Sequence, residues 1–199
     1  MSINTYDDLK TALASWLARD DLTEFIPDFI TLFEASACRE LRVRPAETTA
    51  TLTPSSGAVA LPTDFLGARR LTWAGSPTRD LEYVHPAWFA QNYPTSVAGI
   101  PAVYTIEGGT LKVRPVSDTP LELLYRARTA AVSGALNWLF TNHPDAYLFG
   151  SLAEAFMFNK DPENAALWEG RRDKVYQSIK NADFHYRELG APRIAGYTP

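Results

Sequence analysis

The chain has little of several things that would mark a function at once. It holds one cysteine, Cys38, among 199 residues. An intramolecular disulfide framework and a cysteine-paired zinc site are therefore excluded. Cys38 falls in a segment of helical spacing and reads as a small buried apolar residue rather than a reactive thiol. Only three histidines occur, His85, His143 and His185, scattered singly and without metal-ligand spacing. His85 and His143 each precede a proline, which suits helix caps or turns. No apolar run approaches the roughly 20 residues that span a bilayer. The opening MSINTYDDLKTALASWLARDD lacks the basic start and apolar core of a secretory signal. A soluble chain made in a cytoplasm, without membrane contact, is expected. Positive charge is short as well. A net charge of −4 argues against a general coating of DNA or anionic membrane.

Catalytic signatures are also missing. There is no G-x-S-x-G elbow. Phe149–Gly150–Ser151 sits inside a helical pattern, where that strained turn cannot form. EGGT at 107–110 is a hairpin turn without the following helix that a phosphate cradle needs. Glu34 and Glu40 share a helix but lie six residues apart and point to different sides. Asp161 and Glu163 suit the N-terminus of a helix. Glu154, set among apolar residues, reads as a partner for an arginine of a neighbouring helix or subunit. No enzyme activity, cofactor or metal is expected.

What is present is a change of period. Leu9, Leu13, Trp16 and Leu17 recur at helical spacing, and Ile26, Phe29, Phe33, Ala37 and Leu41 do so again, with Pro27 in a first turn. Val43–Arg44–Pro45 ends that helix, since the residue before proline is pushed out of the helical region. From Thr48 to Arg128 apolar residues alternate, and proline, glycine and threonine are frequent. TATLT and AVALP around PSSG predict one hairpin, and RRLTWAG and RDLEYV around SPT predict another. HPAWFAQNY predicts a short helix. In VYTIEGGTLKVRP, Gly108–Gly109 suits a two-residue turn whose central residues need positive φ. That turn sets Ile106 opposite Leu111 and Tyr104 opposite Val113. PLELLYRAR adds a strand with Leu121, Leu123 and Tyr125 on one side. Helical spacing returns in NHPDAYLFGSLAEAFMF and again from Asp161–Pro162, with Trp168, Val175, Ile179, Ala182 and Tyr186 as a stripe.

The expected fold class is α+β: a four-helix bundle made by N- and C-terminal helix pairs, with an inserted antiparallel β domain of hairpins. The expected divisions are residues 1–45 for the first half of the bundle, 46–128 for the β domain, 129–189 for the second half and 190–199 for an extended arm. In that arm, GAPRIAGYTP, Arg193, Ile194 and Tyr197 are a charge and two apolar anchors for a partner. Arginines cluster at 39, 42 and 44, at 69 and 70, at 126 and 128, and at 171 and 172. Neighbouring carboxylates balance most of them. Strand alternation puts Arg69 and Arg70 on opposite faces, with Arg69 beside Leu71 and Trp73. Arg69, Glu154, Arg171 and Arg172 are the candidate contacts between subunits.

The whole order resembles a known pattern. It runs EASACRELRVRP, then VALPTDFLGARRLTWAG, then GIPAVYTIEGGTLKVRPVSDTPLELLYRA, then NHPDAYLFGSLAEAFMFNKDPENAALWEGRRDKVYQSI. This resembles the head-to-tail adaptors of tailed bacteriophages, the group of the tail tubular protein A type and similar siphophage adaptors. No single motif is diagnostic, but the combination covers residues 6–179. The resemblance implies a structural virion protein at the head–tail junction, in a ring usually of twelve copies. The ring lies below the portal protein, extends the DNA channel and receives a stopper, nozzle or tail protein; separately, the composition of the arm at 190–199 leads us to expect that it orders against the portal on assembly. The resemblance carries over no catalytic residue. Twelve copies at −4 each would carry roughly −48, suited to a channel in which genomic DNA slides without sequence-specific binding. The alternative is a phage minor tail or baseplate protein, or another non-enzymatic binding module.

Overall fold

The computed structural model describes residues 3–94 and 97–188. The chain separates into two compact units, one from residues up to 46 and from 129 onward, the other from Glu47–Arg128.

The first unit is helical. Helix α1 (Tyr6–Leu17) opens on a capping box. The Asp8 N–H donates to Thr5 Oγ1 at 3.1 Å, and the Thr5 N–H donates to Asp8 Oδ2 at 3.0 Å. These bonds answer two of the orphan donors at a helix start. Leu9, Leu13 and Leu17 point inward, whereas Trp16 stays 46% exposed. Helix α2 (Ile26–Glu40) carries Pro27 in its first turn, where no N–H is needed. All five residues of its expected stripe, Ile26, Phe29, Phe33, Ala37 and Leu41, are buried. Each large one is worth roughly 1.5–3 kcal/mol of transfer free energy.

Three helices follow the β unit in sequence, one more than the spacing predicts. Short α4 (Trp138–Asn142) is capped by Asn137, whose Oδ1 accepts the Phe140 N–H at 2.9 Å. Helix α5 (Pro144–Phe158) touches α1, α2, α4 and α6 (Pro162–Glu188). A helix with neighbours on every side must be apolar all round. Accordingly Ala146, Tyr147, Leu148, Leu152, Ala153 and Ala155 are all buried. At Gly150 α2 packs tightly, since a Cβ there would lie 2.0 Å from the Phe33 ring. Of the stripe expected in α6, Ile179 is buried, Trp168 and Val175 are half-buried, Ala182 is exposed and the Tyr186 side chain lies outside the described residues, whereas Tyr176, outside that stripe, is buried.

The second unit holds two four-stranded sheets. Their strands are β1 (Glu47–Leu52), β2 (Ala58–Ala60), β3 (Phe65–Trp73), β4 (Arg79–Asp80), β5 (Glu82–Tyr83), β6 (Val103–Glu107), β7 (Thr110–Arg114) and β8 (Leu121–Ala127). One sheet runs β1-β8-β3-β4 and the other β2-β7-β6-β5. All pairings are antiparallel except β5 with β6. Helix α3 (Pro86–Asn92) lies between β5 and β6 in sequence, and His85 caps it by accepting the Ala87 N–H at Nδ1. Leu71, Leu121, Leu123 and Tyr125 of the first sheet form one core with Tyr104, Leu111 and Val113 of the second.

The β6–β7 hairpin has the expected register, Tyr104 opposite Val113 and Ile106 opposite Leu111. Gly108 and Gly109 have φ of +55° and +79°, the left-handed region where side chains are strained. The hairpin expected around PSSG does not form. Its two arms join different sheets, β1 pairing with β8 and β2 with β7, and only a Ser55–Ala58 bridge joins them. The partners of both segments lie far along the chain instead. Around SPT the hairpin lasts two pairs, Thr72 with Asp80 and Trp73 with Arg79, before the chain crosses to the second sheet.

Candidate interaction surfaces

The helical unit contains a buried polar bracket. Glu34 Oε1 on α2 accepts the Val132 N–H at 2.7 Å and the Tyr147 hydroxyl at 3.0 Å. Asn137 Nδ2 donates to Tyr147 Oη and to the Ala130 carbonyl, each at 2.7 Å. The network ties α2, the segment before α4, and α5. Burial pushes the Glu34 carboxyl above its ordinary range, against the pull of its two donors. Burial also pushes the Tyr147 hydroxyl strongly up, and the Glu34 charge adds to that. These bonds join residues of the bracket to one another, so its plain role is to fix where α2, the segment before α4 and α5 meet.

Three surface features of the same unit could receive a partner. In the first, Trp16 and Trp168 lie with ring centroids 5.4 Å apart, Phe149 stacks on Trp168 at 5.7 Å, and the Arg171 guanidinium sits 4.7 Å above Trp168. In the second, Phe158 packs against Phe25 at 5.3 Å, and Phe25, Met157 and Phe158 are all exposed. Exposed aromatics held in clusters are common at interfaces. The third is an open groove of about 570 Å³ between Arg44–Pro45, Trp138–His143 and the Ser178–Asp183 stretch of α6. At its edge the Arg44 guanidinium meets the buried Asp183 carboxylate at 2.9 Å.

The candidate contact residues fall in different settings. Arg171 belongs to the first aromatic cluster. Arg172, next to it, is largely buried, bonded to Asp173 at 2.9 Å and placed over the Tyr176 ring. Glu154 is half-buried on α5 and forms no ion pair among the described residues. In the β unit, Arg69 reaches Glu47 at 2.8 Å, across the intervening strand β8. Strict alternation does not hold there. The register shifts between Ala68 and Arg70, so Arg69 is the extra residue of a bulge and both arginines are exposed. Arg193, Ile194 and Tyr197 lie outside the described residues. Cys38 is half-buried and unbonded.

Sequence reasoning missed the groove and the bracket. Both depend on α4, five residues long and too short to show a period. The one local signal was Asn137 three residues ahead of Phe140, the spacing of a capping side chain.

Among the described residues there is no group of three or more His, Cys, Asp or Glu side chains that could hold a metal ion, and no helix long and apolar enough to cross a membrane. The family model described as SU10 adaptor protein matches residues 4–193. The chain belongs to the SU10 adaptor protein family. An adaptor of this family is a phage structural protein, which places this one in the virion among other head and tail proteins. No curated protein matches the adaptor's sequence.

Proposed function

We propose that the adaptor forms a closed ring, of twelve copies, that joins the portal to the tail and extends the DNA channel. The observation that carries this reading is the family match over residues 4–193. A ring of identical chains needs a heterologous interface, in which one patch of each subunit meets a different patch of the next. The helices from both ends of the chain act as a four-helix bundle and supply that contact. The Trp16–Trp168–Arg171 cluster and the half-buried Glu154 are the groups that gain most from a neighbour, with Arg172 beside them. The β unit, with Arg69, faces a neighbour or the tail side. Residues 190–199, through Arg193, Ile194 and Tyr197, engage the portal. The negative net charge leaves DNA free to move through the channel. The test is negative-stain imaging of the purified chain mixed with the portal of its phage. The expected result is a second ring stacked coaxially on the portal. Portal rings that stay bare at saturating adaptor would overturn the reading.

A further inference from the structure

We infer that the aromatic face around Arg171 of one copy docks on the apolar face around Asp28 of the next, so that helical units join head to tail through two different faces. The inference rests on the ring proposed for the adaptor and names the two faces that meet in it.

The faces leave helix α5 on opposite sides. Phe149 and Phe158 are nine residues apart on α5, about two and a half turns, so their side chains point in opposite directions. Phe149 stacks on Trp168, which packs in turn on Trp16. Phe158 packs on Phe25 and Phe29 at 5.3 and 5.5 Å. One unit therefore presents two separate faces.

Their charges are opposite. On α6, Leu167, Arg171 and Lys174 recur at helical spacing and are all exposed. The Arg171 guanidinium is held over the Trp168 and Phe149 rings, 4.7 and 5.9 Å from their centroids. Glu163, a turn before Leu167, is the carboxylate on that side of α6, so the face keeps a positive excess. On α2, Asp28 and Leu32 share a side with Phe25 at the helix cap, and all three are exposed, as are Glu24, Met157 and Phe158. Other charges near this face come in pairs of opposite sign. Arg19 bonds Asp21, and Lys160 precedes Asp161 in the turn after α5. Asp28, Glu24, Arg171 and Lys174 form no ion pair among the described residues.

Sign and position select the partner. Two Arg171 faces meeting about a two-fold axis would set Arg171 and Lys174 against their own kind, and two Asp28 faces would do the same with carboxylates. Like charges brought together at an interface are penalised. Pairing the two different faces matches guanidinium to carboxylate and ring to ring. Such a contact is heterologous, and its repetition closes a ring when the rotation allows. Tryptophan and arginine are also the residue types that most often carry interface energy.

The test uses the full-length chain mixed with the portal of its phage. Negative-stain images count complete rings on the portal, and glutaraldehyde cross-linking reads contacts between copies of the chain separately. Arg171→Glu and Asp28→Arg should each lower the number of complete rings about tenfold or more and remove the cross-linked ladder. Both sites are exposed, so each variant should melt with the wild type, which separates lost docking from lost folding. The joint variant Arg171→Glu, Asp28→Arg restores opposite signs and should recover most of the rings and the ladder. Single variants that assemble as well as a ring-forming wild type overturn the pairing and leave the ring standing. A joint variant no better than either single one does the same. A wild-type chain that forms no ring removes both.

Discussion

The helical unit and the β unit solve the same problem over different lengths of sequence. In the helical unit each buried stripe lies within one helix, so Leu9, Leu13 and Leu17, or Ile26, Phe29 and Phe33, face inward together. In the β unit the first strand pairs with the last, Glu47 opposite Arg126. Distant strands must meet there, as α2 must meet α5 in the helical unit, but a strand's alternation does not say which strand lies beside it. The two cores differ in chemistry as well. The helical unit ties a half-buried Glu34 to the buried Asn137 and Tyr147 in one hydrogen-bonded bracket. The β unit packs Leu, Val, Trp and Tyr side chains of two sheets, and its polar groups are more scattered: a fully buried Thr105 and a Tyr125 hydroxyl that donates to Asp64 at 3.0 Å. A packed polar bracket fixes where helices meet, while a sheet obtains its register from backbone pairing.

Substitutions can break this comparison, and the largest effect is expected where α2 meets α5. Phe33→Ala removes a ring that is 1% exposed and should cost about 3–5 kcal/mol. Thermal melting would show the loss. Amide exchange should assign it to the helical unit, with β8 protection retained. Gly150→Ala should also destabilise the wild type, since its Cβ meets that ring. In the Phe33→Ala background it should cost far less, because the two sites share one space. Equal costs in both backgrounds would mean that the close approach is not what constrains the pair.

The β counterpart is the hairpin tip. Replacing Gly108 and Gly109 with valine forces β-branched residues into positive φ and should cost about 2–4 kcal/mol at roughly 1–2 kcal/mol per residue. Space is not the reason, because nothing lies within 4 Å of an added Cβ at either position. Asparagine at the same positions tolerates that conformation and should cost clearly less. Equal losses for valine and asparagine, measured by denaturant unfolding, would count against the turn geometry.

The polar bracket gives a smaller, pH-dependent effect. Glu34→Ala leaves the Val132 N–H and Tyr147 hydroxyl without their acceptor, at about 1–3 kcal/mol. Glu34→Gln keeps an acceptor oxygen and should be nearly neutral at low pH. Burial raises the Glu34 pKa in the folded state, so the folded chain holds this proton more tightly than the unfolded chain. Stability then falls as pH rises from the ordinary carboxylate range through the raised value. Glu34→Gln should remove that decline. A pH profile unchanged by Glu34→Gln would contradict the assignment. The least effect belongs to Arg69→Ala. Its ion pair with Glu47 is half-exposed on the arginine side, so the free chain should lose no more than about 1 kcal/mol.

What could be read from the residues follows the same division. The α2 stripe, the Pro27 and Pro162 starts and the β6–β7 register were legible because each rests on neighbours in sequence. The partners of β1 and β2 were not, since alternation says which face a strand buries and not which strand lies beside it. Trp16 shows a subtler limit. Its spacing matched Leu9 and Leu13, yet it stays half-exposed against Trp168, and only the arrangement of α6 decides that. For the candidate surfaces, Arg171 carried a charge that drew notice. Glu34 was weighed only against Glu40, and its real partners stayed hidden, because a carboxylate on a helix looks the same in sequence whether it meets water or a buried tyrosine.

The central claim is that this chain holds the head to the tail, and depletion of the chain during infection tests it most directly. Electron microscopy of particles made without it, complemented by a gold-labelled tagged copy, reads the outcome. The account predicts separate heads and tails without the chain, and label confined to the head–tail joint when it is restored. Joined particles in its absence, or label at the far tip of the tail, would contradict it.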